Sequence, residues 1–198
     1  MKIRLFAIIF LLLFSFYEAN KFLNKNRAEL TPENIKSQIE LKSGDIILRK
    51  EQNAASDFFS TLDAGEYSHI GVAVNTKEGL KIFHIEVDEK TDDLKEQTVK
   101  EFAYFAKKIA IYRYKEPIDE IKLLNIIKEY KKDKIKFDYA FELNNKEFYC
   151  TELINDIYFK LFSENLYTYL YKFASKEAIS INSIIKNPNL EKRYELEL

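Results

Sequence analysis

The segment that begins at the single cysteine most constrains what this chain can become. Between Cys150 and Phe162, residues Leu153, Ile154, Ile157, Tyr158 and Leu161 recur at steps of one and three. That spacing draws one apolar stripe along a helix, and such a stripe needs a second layer to bury it. The chain supplies the layer as strands. Ile46-Ile47-Leu48 is a short apolar run that follows a Ser43-Gly44-Asp45 turn. His69–Val74 alternates in side-chain size, residues 75–79 form a turn, and Leu80–Val87 returns as the second arm of a hairpin. Lys108–Tyr114 is a further strand that ends before Pro117. Ile118–Tyr130 has helical periodicity. The expected fold is α+β, an antiparallel sheet packed against the cysteine-bearing helix.

The remaining segments read more simply. Thr31-Pro32-Glu33 has an N-cap followed by proline at the first helical position, so a short helix is expected to about Leu41. Residues 51–66 are expected as a loop with a helical turn. Residues 88–97 and 133–149 are expected as loops. The tail from Ser163 is expected as a Tyr/Phe-rich packing segment with a polar end. The Lys-rich stretch 128–136 and the Asp92-Asp93 pair read as solvated surface.

With 198 residues, the chain has room for one domain and short flanking segments. Lys plus Arg number 31 and Asp plus Glu 32, a net charge of −1, so no basic excess points to nucleic acid. One cysteine excludes an internal disulfide and a thiolate-rich zinc site. With two histidines, any Cys/His chemistry must use Cys150, His69 and His84. No metal or cofactor is expected.

Cys150 sits in the first turn of its helix, where unpaired N–H groups and the positive end of the helix dipole favour a thiolate. The same N–H groups suit a developing oxyanion. On the hairpin, His69, Gly71 and Ala73 share one face of the first strand, and Ile82, His84 and Glu86 share one face of the second. A turn centred near residue 76 or 77 would set His69 opposite His84. Cys150 is then the candidate nucleophile and His69 the candidate base. His84, or alternatively Glu86 one step along, is the candidate orienting group.

These residues fall in stretches that resemble a known family. Leu41–Leu48 (LKSGDIIL) is similar to the opening strand of the permuted NlpC-type papain-like proteins. Ser68–Val72 (SHIGV) is similar to their histidine strand, and Phe148–Leu153 (FYCTEL) to their nucleophile helix, with Thr151 where serine is usual. The histidine precedes the cysteine, as in the permuted branch. The YiiX/YebB-like group is the nearest resemblance, with lecithin:retinol acyltransferase more distant. The resemblance implies a papain-like fold over residues 41–198 and thiol chemistry on amides or esters. It places His84 as third residue, whereas a shift of two positions selects Glu86. Asp138-Tyr139 resembles a structural element upstream of the cysteine.

Residues 1–19 carry Lys2 and Arg4 ahead of an apolar run from Leu5 to Phe16, the layout of a secretory signal or short membrane anchor. Residues 20–40 then form a linker and the N-terminal helix. An exported, periplasmic or cell-envelope enzyme is expected, and peptidoglycan peptides are the amide substrate that compartment suggests. Two other readings share these motifs: lipid acyl transfer through the same thioester, and a non-catalytic binding module that kept the fold.

Overall fold

A computed structural model describes residues 40–51, 62–88, 91–143, 145–173 and 176–197. The leader expected over 1–19, nearly all of the linker and helix expected over 20–40, and most of the loop expected over 51–66 lie outside the described residues. Six strands form one antiparallel sheet: β1 (Ile46–Glu51), β2 (His69–Thr76), β3 (Gly79–Ile85), β4 (Leu94–Gln97), β5 (Ala106–Tyr114) and β8 (Leu190–Glu197). Their order is β4-β3-β2-β1-β5-β8. Helices α1 (Val99–Phe102), α2 (Glu120–Asp133), α3 (Cys150–Phe162) and α4 (Ile181–Ile185) flank it. A small hairpin pairs β6 (Tyr171–Phe173) with β7 (Lys176–Ala178).

β1 lies inside the sheet between β2 and β5, so both of its faces are covered. That is why Ile46, Ile47 and Leu48 are apolar without alternation, and all three are fully buried. On one face Ile46, Leu48, Ile70, Val72, Phe83 and Ile85 meet the stripe of α3 and Leu123, Ile126 and Ile127 of α2. The other face is smaller. Ile47, Ala73, Ile82 and Ile111 are closed over by Phe102 from α1. A capping box fixes α1, with the Thr98 side chain and Glu101 exchanging hydrogen bonds to each other's backbone N–H.

Two anchors tie the helical layer and the turn before β1 to the sheet. The buried Tyr158 hydroxyl donates to the Gly44 carbonyl at 2.5 Å. Asp45 takes a bidentate bond from Arg113, at 2.7 Å on each oxygen. Gly44 has φ of 85°, and a Cβ there would lie 2.1 Å from Ile118 Cδ1, so the turn requires glycine.

The hairpin differs from the expected register. Val72 pairs with Phe83 and Thr76 with Gly79, which centres the turn on Lys77-Glu78. Gly79, at φ of 98°, closes it. This shift of two positions sets Gly71, not His69, across from His84. Residues 94–97, expected as loop, form the edge strand β4 along β3. The polar tail contains β8, which pairs with β5 from Lys108 to Tyr114. Its exposed, charged residues hid the strand; only Tyr194 and Leu196 of its apolar side chains pack on the small-core face.

A Cβ at Gly71 would lie 2.8 Å from Ile82 Cγ2 and 3.3 Å from His84 Cβ. Gly71→Ala is therefore expected to destabilise the fold by about 1–3 kcal/mol, as overpacking in a closed core does. Urea denaturation of the variant against the parent chain measures this.

Candidate active site

Gly71 makes the site geometry feasible. Without a side chain between them, His69 and His84 meet diagonally across β2 and β3. His69 Nε2 lies 2.8 Å from His84 Nδ1, and the rings are edge-on at 84°. His84 Nε2 lies 2.9 Å from Gln97 Oε1 on β4. An amide oxygen only accepts, so His84 donates from Nε2 and accepts at Nδ1. His69 must then donate from Nε2, which leaves its Nδ1 as an unprotonated, basic nitrogen. The chain of three residues fixes the tautomer of each imidazole.

Both rings are buried, and Phe102 packs against them with ring centroids 5.8 Å from His69 and 5.1 Å from His84. Burial holds the pKa of each well below its ordinary value of 6.5. The neighbouring Arg49 guanidinium pushes both further down, and for His84 the other imidazole does so as well. Arg49 is itself buried. It donates to the Phe102 carbonyl at 3.0 Å, lies over the Phe102 ring at 4.6 Å, and pairs with Glu51 at 2.7 Å and Glu86 at 2.5 Å.

Cys150 is the first residue of α3, with Tyr149 as N-cap. Tyr149 makes no side-chain capping bond, which leaves the first-turn N–H groups facing the sulfur. Residues on both sides of Cys150 grip the backbone of one residue. The Ile179 N–H donates to the Tyr149 hydroxyl at 2.8 Å, and the Thr151 hydroxyl donates to the Ile179 carbonyl at 2.7 Å. Burial pushes the thiol up to about 12, and the Glu86 carboxylate adds to this. The Thr151 N–H, the Cys150 N–H and Arg49 act in the opposite sense. Arg49 and Glu86 thus act on both Cys150 and His84.

Among the described residues Cys150 makes no hydrogen bond to His69, whose Nε2 is engaged by His84. The body of α3 packs on the face of Ile70 and Phe83, whereas His69, Gly71 and His84 project from the face closed by Phe102. Cys150 and Ser68, the residue before His69, border the same cleft of about 90 Å³.

His84 and His69 are brought together as the sequence suggested. Glu86 is drawn off by Arg49 and stands 3.9 Å from His84 Nδ1. Sequence reasoning missed Arg49 and Gln97. Arg49 shares the His69 face two positions beyond Ile47, so a charge on an otherwise apolar face was a usable signal. Gln97 stands in LKEQ, which has no strand pattern of its own. Asp138 is structural as expected: it is buried and accepts from the backbone N–H of Ala140 and Glu142.

A cysteine heading a helix against an antiparallel sheet that carries a histidine pair defines a cysteine hydrolase of papain-like fold. Residues 40–193 match the permuted papain-like amidase enzymes described as the YaeF/YiiX, C92 family, and the chain belongs to that family. The crystal structure of a protein titled metalloprotein yiiX, from Escherichia coli O157:H7, has the same fold. It superposes with a TM-score of 0.68 at 15% identity, covering 81% of this chain and 100% of that one. No curated protein matches the sequence.

His69, His84 and Glu86 offer donor atoms within 4.8 Å of one another, the one such set among the described residues that could hold a metal ion. The arrangement does not fit one. Two ligands on a tetrahedral zinc would stand about 3.3 Å apart, but the two facing nitrogens are 2.8 Å apart and share a proton. Arg49 already neutralises Glu86 and places a positive charge beside the pair.

The depressed imidazole pKa values set a pH dependence. Unfolded histidines bind protons as the pH falls through 6.5, before the folded ones do. Stability contributed by the neutral pair is therefore whole above that pH and lost as the pH falls below it. Thermal melts between about pH 7.5 and 5 are expected to show a falling midpoint, and His84→Gln is expected to reduce the slope.

Proposed function

We propose that this hydrolase cleaves amides through Cys150 as nucleophile and His69 as base, with His84 orienting His69. The observation that carries this reading is the Gln97–His84–His69 chain, because it leaves a lone pair on His69 Nδ1 in a buried, neutral imidazole. On substrate binding, the Cys150 thiol transfers its proton to that nitrogen and the sulfur attacks the carbonyl carbon. The Cys150 and Thr151 N–H groups hold the oxyanion. Collapse expels the amine, which takes the proton from His69, and leaves a thioester on Cys150. Water attacks the thioester with His69 again accepting a proton, the acid departs, and the thiol re-forms. Catalytic hydrogen bonds that are open in a resting enzyme commonly close in the substrate complex.

Glu86 is the weaker orienting candidate, because its carboxylate is already committed to Arg49. The apolar leader over residues 1–19 supports action in the cell envelope after export. Peptide amides of peptidoglycan are the substrate class that compartment favours.

Cys150→Ala is expected to abolish labelling by a thiol-reactive acyl probe, and undiminished labelling would sink the assignment. His84→Ala should lower kcat by about 100-fold, with partial rescue by His84→Gln, whereas Glu86→Gln should stay within about threefold. The reverse ranking would make Glu86 the orienting group.

A further inference from the structure

The cleft at Cys150 has a character that bears on the substrate. It is walled by Phe141, Tyr149, Tyr171, Ile179 and Ile181, and its polar contributions are hydroxyl and amide groups from Ser68, Ser180 and Asn182. Among the described residues, no Asp, Glu, Lys, Arg or His lines it. Asp63 braces one wall: its Oδ2 accepts from the Tyr169 and Ser180 hydroxyls, each at 2.5 Å, and its backbone carbonyl accepts from the Asn182 amide at 2.6 Å.

Those bonds also build the cleft. Asp63 and Ala64 adopt positive φ, 56° and 51°, uncommon for residues with a side chain. The strain turns the chain so that Asp63 ties the Gly65–Ser68 wall to the wall at Ser180–Asn182. Ile179, in the same wall, is gripped by the residues flanking Cys150. The cleft is thus a held feature placed directly against the sulfur.

Resting on the hydrolase reading above, we propose that this cleft is the acyl-group site and that it takes a short, uncharged, apolar acyl group. An anionic group placed there would lose water without gaining a counter-charge. A cavity of about 90 Å³ is smaller than the roughly 150 Å³ apolar cavity that takes a benzene ring, which suits a group of a few carbons such as a butyryl chain or the side chain of valine or leucine. A long fatty acyl chain exceeds it. Within cell-wall peptides the site selects bonds whose acyl residue is alanyl over those whose acyl residue carries a free carboxylate.

The test is a set of p-nitrophenyl esters with acetyl, butyryl, octanoyl, dodecanoyl and succinyl groups, beside p-nitroanilides of N-acetylated alanine, leucine and glutamate. The expected kcat/KM peaks at butyryl, falls at least about tenfold at dodecanoyl and at least about 100-fold at succinyl. The anilide arm shows whether the apolar group is taken from an amino acid or a fatty acid. Ile181→Arg is expected to raise the succinyl-to-butyryl ratio by about tenfold. That ratio is measured within one protein and does not depend on the fraction folded. Equal turnover of succinyl and butyryl esters by the parent enzyme, or an unchanged ratio in the variant, overturns the cleft assignment while leaving the cysteine mechanism standing. Turnover that persists in Cys150→Ala overturns both.

Discussion

Much of this structure depends on an absent side chain. Gly71 lies across from His84, and the space where its Cβ would stand is already bounded by Ile82 and the His84 Cβ. Only because that space is free can two imidazoles on adjacent strands meet diagonally at 2.8 Å. Diagonal neighbours in an antiparallel pair stand farther apart than direct ones and reach each other only through long or aromatic side chains. The hydrogen bond then propagates outward. His84 is fixed by Gln97 on the edge strand, and both rings are fixed against Phe102 by the short helix that follows that strand. β4 and α1, the shortest elements of the main fold, thereby act on the tautomer of a histidine two strands away.

The main elements were legible because their periodicity is strong. The helix from Cys150 to Phe162 has the bounds its stripe predicts, and the strands at Ile46, His69 and Lys108 lie where their apolar runs predict them, although β1 runs on to Glu51, β2 to Thr76 and β5 starts at Ala106. The histidine pair was legible as two residues on one face. Its register was not, because the hairpin turn depends on the positive φ of Gly79 and the alternation is satisfied equally by a shift of two positions. β4 and β8 were illegible for a different reason. One is four residues at the edge of the sheet, and the other is an outer strand whose residues are mostly charged. Edge strands face water along one side, so they need little of the apolar pattern that betrays central ones.

The candidate site was partly legible for the same reasons. Residue types identified Cys150, His69 and His84, since no other cysteine or histidine exists. What sequence could not supply was the company they keep. Arg49 binds Glu86 because β1 and the end of β3 place them on one face, and this removes Glu86 from competition for the imidazoles. Nor does any pattern indicate that Ile179, some thirty residues after the cysteine, accepts and donates on either side of it. That link is tertiary, built from backbone groups that every residue carries.

The electrostatics of the resting site favour neutral partners throughout. Burial raises the thiol and lowers both imidazoles, so an ion pair of thiolate and imidazolium is disfavoured on both sides. Arg49 and Glu86 do not override this, because each is largely answered by the other. In the proposed mechanism the proton therefore leaves sulfur as the new carbon–sulfur bond forms, not beforehand. Negative charge then passes from sulfur to the carbonyl oxygen, where helix N–H groups await it, and the positive charge passes to the imidazole pair. A site arranged in this way keeps its only thiol protonated until an acyl group fills the cleft beside it. That protects the thiol from oxidation and alkylation, whose reactive form is the thiolate. In the proposed mechanism such protection and the choice of acyl group come from one feature, the uncharged lining against Cys150.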